Sequence, residues 1–185
     1  MIDASPFNDE VYYSRQAAPR VTAADLAALK ELASSNPRER VRLCIHSDVQ
    51  ANVHEMVIVH SRQVYVRPHK HANKSESYHL IEGSALAVMF DDEGAISDAV
   101  ELGDAGSGTA FLYRLPANVY HCLVFKSDWV VFHETTSGPF NRADTVYAPW
   151  APADDDREGI SIYTQNLNAQ LRERLAEDQL IGGAR

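Results

Sequence analysis

A series of short β-rich segments occupies the middle of this 185-residue chain, from Val41 to Thr136. Turn-forming residues separate them, as in Asp91-Asp-Glu-Gly94 and Lys126-Ser-Asp128. Many short strands with few helices predict a mainly β fold, arranged as a sandwich or as a small barrel of the jelly-roll kind. The predicted strands cover residues 41–46, 53–60, 63–67, 76–82, 84–91, 95–102, 109–115, 119–126 and 129–136.

One of these segments, Ala85-Leu-Ala-Val-Met-Phe90, is apolar at every position. Because side chains alternate across a strand, both faces of this segment need cover. One face can fill the interior of a barrel. The other must pack against a second sheet, the N-terminal helix or another subunit. A homodimer is therefore one of the arrangements that the sequence allows.

Helices are predicted only outside the β-rich region. Residues 1–20 show little periodicity and predict an extended arm. Thr22 and Asp25 then form a helix-capping pair ahead of leucines at helical spacing, namely Leu26, Leu29 and Leu32. This first helix should end within 34–37. A second amphipathic helix is predicted from about Gln165 to Gly182-Gly183, on the repeat of Leu167, Leu171 and Leu175.

One globular domain accounts for the whole chain, since 185 residues can bury a single sizeable core. Within it we expect an N-terminal arm and helix over residues 1–40 and a β-barrel over 41–150. An acidic loop and the C-terminal helix should follow over 151–185. The stretch 137–159 is rich in proline and acidic residues and predicts a long loop, in which Tyr147 and Trp150 should pack against the rest of the protein.

The charge of the chain narrows the class of partner. Its 17 basic and 26 acidic residues give a formal net charge of −9, which argues against nucleic acid and anionic membranes. No apolar run reaches the roughly 18 residues of a membrane span, and the N-terminus lacks the basic and apolar parts of a secretion signal. We therefore expect a cytoplasmic protein in which Cys44 and Cys122 are reduced and buried.

Two histidines and a glutamate stand close together in His69-Lys-His71-Ala-Asn-Lys-Ser-Glu76. In a β-strand, residues i and i+2 point to the same face, so His69 and His71 can converge on one point. The residues that follow His71 allow the chain to turn and bring Glu76 back beside them. Two imidazoles and a carboxylate that leave coordination positions open are typical of a divalent transition-metal site. A further imidazole, His121, follows turn-forming residues at 116–118.

These motifs resemble those of the cupin superfamily. His69, His71, Glu76 and Gly83 stand at the spacing of the first cupin motif, and Pro116-x-Asn118-x-x-His121 is similar to the second. More narrowly, the chain between Val41 and Trp150 resembles the WbuC family of cupin-fold metalloproteins. That resemblance is carried by residues 42–46, 54–56, 65–76, 82–83, 90–92, 138–140 and 148–150. The chain departs from the cupin pattern at Gln63, Ala110, Asn118 and Phe125, positions that are not metal ligands.

The resemblance implies a cupin-type jelly-roll β-barrel that encloses one divalent transition metal, bound by His69, His71, Glu76 and His121. Three imidazoles and one carboxylate suit iron, manganese, nickel, cobalt or zinc. The resemblance also implies a link with bacterial surface-polysaccharide synthesis, and with it a sugar-derived ligand. It names no reaction.

Strand alternation predicts what surrounds the metal. If His69 and His71 face inward, Tyr65 and Arg67 should do the same, and Tyr78 should share the face of Glu76. An arginine in an aromatic and apolar pocket is costly to bury unless an anion meets it. Arg67 is therefore a candidate for binding a carboxylate or phosphate of the ligand. A salt bridge to a structural carboxylate is the alternative.

Other polar residues near the motif are open to two interpretations. Lys74 lies in the loop between the ligands, where it either reaches an anionic ligand or is simply solvated. His79 should face away from the site and have a structural role. His46, His54 and His60 could line the mouth of the barrel, but the sequence does not decide this.

The function predicted from these residues is that of a metal-dependent enzyme acting on a small anionic molecule, as an isomerase or as a dioxygenase. A non-catalytic module that binds and senses a metal or small ligand is the alternative. Open coordination positions together with a general base would favour catalysis, whereas a filled coordination shell would favour sensing.

Overall fold

The computed structural model of the protein describes residues 2–182, with side chains described up to Ala176. Gly183, where the second helix was expected to end, and the last residues of the segment 151–185 lie outside this range. The helices are α1 (Ala23–Ser34) and α2 (Arg157–Gly182), with a 3₁₀ turn at Arg142–Asp144. The strands are β1 (Ala4–Pro6), β2 (Val11–Ser14), β3 (Arg40–Cys44), β4 (Val53–Ser61), β5 (His69–His71), β6 (Glu76–Glu82), β7 (Ser84–Phe90), β8 (Ile96–Gly103), β9 (Leu112–Leu115), β10 (Tyr120–Phe125), β11 (Trp129–Ser137) and β12 (Thr145–Tyr147).

The strands form two sheets. One has seven strands in the order β1-β2-β3-β4-β11-β6-β9, and the other has five in the order β12-β5-β10-β7-β8. Neighbouring strands are antiparallel, apart from the parallel pair β2 and β3. The prediction of a mainly β fold is confirmed. Within the described range the two sheets do not close into one continuous barrel, so the finer expectation of a closed barrel is not met.

The strand predicted at residues 63–67 is wrong. The chain turns after β4, where the amide of Val64 donates to the carbonyl of Ser61 over 3.2 Å, and the next strand begins only at His69. Pro68 has no N–H with which to extend the ladder of β5 towards its N-terminus. Residues 1–20 are also more ordered than an extended arm, since they add β1 and β2 to the larger sheet. The expected loop over 137–159 contains β12.

Apolar side chains from the inner faces of the two sheets fill the space between them. Phe132, Leu80 and Val130 lie there with at most 2% of their surface exposed. Alternate residues of β7 divide between two cores. Ala85, Ala87 and Met89 face inward, and the other three apolar residues of the strand face outward.

Each helix covers the outer face of one sheet. Leu29 and Ala33 of α1 are fully buried against the larger sheet. Leu167 and Leu171 of α2 pack on the outward-facing residues of β7, namely Leu86, Val88 and Phe90. The second apolar face of β7 is therefore covered by the C-terminal helix, and not by a second sheet, the N-terminal helix or another subunit. A homodimer stays a prediction.

Local sequence explains where both helices begin. Thr22 and Asp25 form the expected capping box, which confirms the predicted start of α1. α2 begins eight residues before the predicted Gln165, because Asp156 caps it by accepting the amide of Gly159 over 2.9 Å. Among the described residues, neither helix combines the length and the apolar character needed to cross a membrane.

Candidate metal centre

Three imidazoles meet on the inner face of the smaller sheet. β5 and β10 are neighbours in this sheet, and their register places His121 directly opposite His69. His71 lies two residues further along β5 and points to the same side. One ring nitrogen from each of His69, His71 and His121 lies within 4.8 Å of the others, a group that could hold a metal ion. The convergence expected of His69 and His71 is present in the structure.

Backbone carbonyls fix the orientation of two of these rings. The Nδ1 atom of His69 lies 2.8 Å from the carbonyl oxygen of Arg67, and that of His121 lies 2.9 Å from the carbonyl oxygen of Val119. A carbonyl can only accept, so Nδ1 carries the hydrogen in both residues and Nε2 keeps a free lone pair. Metal-binding histidines are commonly held in this way.

The carboxylate of Glu76 lies between the rings of His71 and His121. Its Oε1 lies 3.1 Å from Nε2 of His71, and its Oε2 lies 3.1 Å from Nε2 of His121. The hydroxyl of Tyr78 donates to the same Oε2. Burial alone would raise the pKa of Glu76, but the neighbouring imidazoles of His121 and His71 outweigh it and lower that pKa. Glu76 is therefore ionised at neutral pH, as a metal ligand must be.

The neutral ring of His69 suits a metal ligand. Burial, followed by the neighbouring His121, lowers the pKa of His69 to about 4, so this ring is neutral at pH 7. For His71, burial acts to lower the pKa, but the hydrogen bond and charge of Glu76 outweigh it and raise that pKa. Nε2 of His121 is buried without a well-aligned hydrogen bond, although it faces Glu76. A buried lone pair without a donor fits a metal ion.

A cavity of about 570 Å³ opens next to this group. Its walls come from the inner faces of both sheets and from the segment between β11 and α2. The predicted ligand-binding residues Arg67, Tyr65, Tyr78 and Lys74 all line it, as do His46, His54 and His60. The histidines whose position the sequence left open are thus cavity residues.

Arg67 reaches the cavity from the loop ahead of β5 rather than from a strand. Its Nη2 lies 3.3 Å from the carbonyl oxygen of Ala151, and its guanidinium stacks 4.8 Å from the ring centre of Tyr147. Nε is buried without a hydrogen-bond partner. No carboxylate of the described residues lies within salt-bridge distance of Arg67, so the alternative of a structural ion pair is not what the structure shows.

The other three predicted ligand-binding residues are already bonded within the protein. Tyr65 donates its hydroxyl to the carbonyl of Pro152 over 3.1 Å. Tyr78 is bound to Glu76 and so acts on the metal group rather than directly on a ligand. Lys74 pairs with Asp144 over 3.2 Å and donates to the carbonyl of Pro139. Of these four residues, Arg67 carries a charge that no carboxylate of the described part of the chain pairs with.

The remaining histidines differ in their surroundings. The rings of His46 and His54 stack with centres 4.1 Å apart, at some distance along the cavity wall from the metal group. His60 lies between Phe125 and Phe132, and burial lowers its pKa to about 3. His79 lies outside the cavity, with its ring against Phe111, in line with the face expected for it.

One ionisable residue of the cavity, Glu134 on β11, is not among the residues predicted from the sequence. Burial, followed by the charge of Glu76, raises the pKa of its carboxyl to about 8. The alternation Phe132, Glu134, Thr136 could have indicated an inward-facing glutamate, because Phe132 is the kind of residue that fills a core. Which residues it would face depends on strand neighbours that are far apart in the chain.

Comparisons with known proteins give distant similarities. A family described as a domain of unknown function, DUF6016, matches residues 21–102, less than half of the chain. This range includes His69, His71 and Glu76 and ends before His121. No curated protein matches the sequence.

Among solved structures, a protein from Shewanella oneidensis is similar with a TM-score of 0.46 and 14% identity, over 56% of this chain and 66% of that one. Oxalate decarboxylase from Bacillus subtilis is similar with a TM-score of 0.41 and 18% identity, over 54% of this chain and 24% of that one. The chain thus spans about a quarter of the decarboxylase and about two thirds of the Shewanella protein.

Proposed function

We propose that this chain is a metalloprotein of the cupin type, with one divalent transition metal bound by His69, His71, Glu76 and His121. The observation that carries the proposal is the convergence of three imidazole nitrogens within 4.8 Å. Two of these rings donate Nδ1–H to backbone carbonyls and leave Nε2 free. The donor set suits iron, manganese, nickel, cobalt or zinc.

The order of the strands supports the cupin part of the proposal. The eight consecutive strands β4–β11 divide into the sets β4-β11-β6-β9 and β5-β10-β7-β8, which belong to opposite sheets. Every connection in this stretch passes from one sheet to the other, apart from the hairpin β7–β8. A double sheet of eight strands with such crossing connections is the expected arrangement of a jelly roll. Membership of the WbuC family, and a link with polysaccharide synthesis, stay predictions of the sequence resemblance.

We further infer that the protein is an enzyme acting on a small anionic molecule. The cavity beside the imidazoles has a volume of about 570 Å³, within the range of small-ligand sites. Arg67 lines this cavity with a buried Nε that has no hydrogen-bond partner. A carboxylate or phosphate of the ligand would supply the missing acceptor. Tyr147 would keep the guanidinium in place by stacking on it.

Each part of the site then has a role. When bound, a divalent metal would act as a Lewis acid towards an oxygen atom of the ligand. Glu76 positions the rings of His71 and His121, and Tyr78 orients Glu76. Arg67 binds the anionic group and sets the orientation of the ligand. An isomerase and a dioxygenase both remain compatible with these roles.

Metal analysis tests the proposal directly. Protein purified without chelator and then reconstituted should hold about one equivalent of a transition metal. His121→Ala should lose most of it, because His121 lies opposite His69 at the centre of the group. His79→Ala is the matched control, since this ring lies outside the cavity and against Phe111. Absence of bound metal from the reconstituted wild type would refute the proposal.

A sensing module that binds the ligand without converting it is the second candidate. Oxygen uptake by the Fe(II)-loaded protein with sugar acids would assign the dioxygenase class. Conversion of the ligand without oxygen uptake would assign the isomerase class. Tight binding with no conversion in either assay would favour sensing.

A further inference from the structure

Glu134 faces the same space as the candidate metal ligands. It lies on β11, the strand between β4 and β6 in the larger sheet, and it lines the cavity. The register pairs Glu134 with Tyr78 and Thr136 with Glu76. Glu134 and Glu76 are therefore diagonal neighbours on one face of adjacent strands, a relation that places their Cβ atoms roughly 7–8 Å apart. The two carboxyl groups can border one small ligand.

Glu134 differs from every other carboxylate in the cavity wall. Glu10 pairs with Arg40 over 2.8 Å, Asp144 with Lys74 over 3.2 Å, and Asp154 with Arg38 over 3.0 Å. Glu76 is held by two imidazoles. Among the described residues, the carboxyl group of Glu134 has neither a hydrogen-bond partner nor an ion pair.

Glu134 is partly buried, and its carboxyl group forms no bond within the described residues that would explain it as a structural residue. Residues such as the neighbouring Phe132 show that an apolar side chain fits on this face of β11. The position is instead suited to a group that meets a ligand. Arg67, which provides a free positive charge, lines the same cavity from the opposite side of the sandwich.

We propose that Glu134 is a catalytic residue, which accepts a proton from the carbon next to the carbonyl group of a small carbonyl acid bound at this site. The inference rests on the proposed metal site and names its ligand class. Arg67 would bind the acid group, and the carbonyl oxygen would lie at the imidazole cluster. Such a proton transfer requires three groups: a cation that binds the acid group, an electrophile that polarises the carbonyl, and a carboxylate that accepts the proton.

The step balances without an oxidant or a second substrate. The C–H bond breaks, its proton forms an O–H bond with Glu134, and its electron pair moves into the new C=C bond of an enolate. Return of the proton to the same carbon regenerates the ligand, with exchange of its hydrogen for one from solvent. Return to the adjacent carbon of a hydroxylated ligand, with the hydroxyl proton passing to the enolate oxygen, moves the carbonyl group along the chain, which is an isomerisation.

Hydrogen exchange tests this step with defined probes. The full chain is loaded with Zn(II), which is diamagnetic, and incubated with pyruvate or hydroxypyruvate in D₂O at a pH above about 8, where the carboxyl group of Glu134 is ionised. Loss of the C–H proton signals is followed by NMR, with free Zn(II) as the background. We expect the wild type to exceed this background and Glu134→Gln to lower the protein-dependent rate by about 100-fold or more, the usual contribution of a general base. Zn(II) stoichiometry should not change, and the circular dichroism spectrum should remain that of the folded wild type.

Two further variants complete the test. Asp154→Asn removes a carboxylate from the same cavity wall that is paired with Arg38, and its exchange rate should equal that of the wild type. Glu134→Asp keeps a carboxylate and should retain part of the activity. Equal rates in the wild type and Glu134→Gln would overturn the inference, as would zinc-loaded wild type that exchanges neither probe. A wild type that binds no zinc would instead overturn the proposed metal site, and this inference with it.

Discussion

The carboxylate of Glu76 connects the parts of the candidate metal centre. Its two oxygens face different imidazoles, each at 3.1 Å, and one of them also accepts from Tyr78. Tyr78 is almost completely buried, with 4% of its surface exposed, so its hydroxyl has little access to water as an alternative partner. Tyr78 therefore orients the metal ligand Glu76 without being a metal ligand itself.

Tyr78→Phe should weaken metal binding without abolishing it. Loss of the hydroxyl leaves Glu76 free to rotate, and the loss of such an orienting group typically lowers metal affinity by about 10–100-fold. Competition with a chelating dye measures the change. Tyr113→Phe is the control, because Tyr113 pairs with Tyr78 in the sheet and its hydroxyl contacts Met89 instead. Equal affinities in the two variants would contradict this role for Tyr78.

Arg67→Ala should separate ligand binding from metal binding. The guanidinium bonds to backbone carbonyls and stacks on Tyr147, whereas the metal ligands are held by other groups. We expect full metal content and an affinity for carboxylates or phosphate that falls about tenfold or more, the effect of losing one charged hydrogen bond. Calorimetry with inorganic phosphate measures this. Arg62→Ala, which removes a surface arginine paired with Asp128, should have no such effect.

At the scale of elements, helix α2 covers one apolar face of β7, a contact that was not predicted from the sequence. β7 is apolar on both faces, and Leu167 and Leu171 cover the face that points away from the sandwich. Leu171 is 2% exposed. Trp150 of the preceding segment extends the same core, with its ring centre 5.0 Å from that of Phe90. The C-terminal helix is therefore part of the folded unit.

Leu171→Ala should destabilise the protein by about 2–5 kcal/mol, because it removes a fully buried leucine and leaves a cavity. Chemical denaturation followed by circular dichroism gives the free energy of unfolding. Leu32→Ala on α1 is the matched control, since Leu32 is 36% exposed. A similarly small decrease in the free energy of unfolding of both variants would mean that α2 does not contribute to the core.

The features that could be predicted from the sequence are those that depend on residues close together in the chain. The pair His69 and His71 could be predicted because the two-residue period of a strand is a local property. The start of α2 was missed because residues 157–164 lack the leucine repeat, and capping by Asp156 is a weaker signal. The inward position of Glu134 was missed for a different reason. Its neighbours Glu76 and Tyr78 lie more than fifty residues earlier in the chain, and only the order of the strands brings them together.

At the scale of the whole molecule, two carboxyl groups of one cavity respond to pH in opposite directions. The pKa of Glu76 is lowered, so the stability it contributes is present above its ordinary pKa of 4.5 and is lost as the pH falls. The pKa of Glu134 is raised from 4.5 to about 8. Its protonated form is favoured by folding, so the contribution of Glu134 is present below pH 4.5 and is lost as the pH rises through about 8.

Glu134→Gln should therefore change the pH dependence of stability in metal-free protein. The amide cannot ionise, so the free energy of unfolding should fall less between pH 4.5 and about 8 than it does in the wild type. Urea denaturation across this range, in the presence of a chelator, measures the difference in slope. Parallel curves for the two proteins would show that the carboxyl of Glu134 is not perturbed by folding.

The short length of β5 has a consequence for how the fold and the metal depend on each other. This strand pairs with β10 at a single position, His69 with His121, and with β12 at three. An ion held between β5 and β10 would act as a cross-link that closes a loop of about fifty residues, so part of its binding free energy would offset loop-closure entropy. Removal of the ion should then release the backbone amides of β5 to exchange with solvent before those of β11, and the strand that carries two of the ligands would be the first part of the sandwich to open.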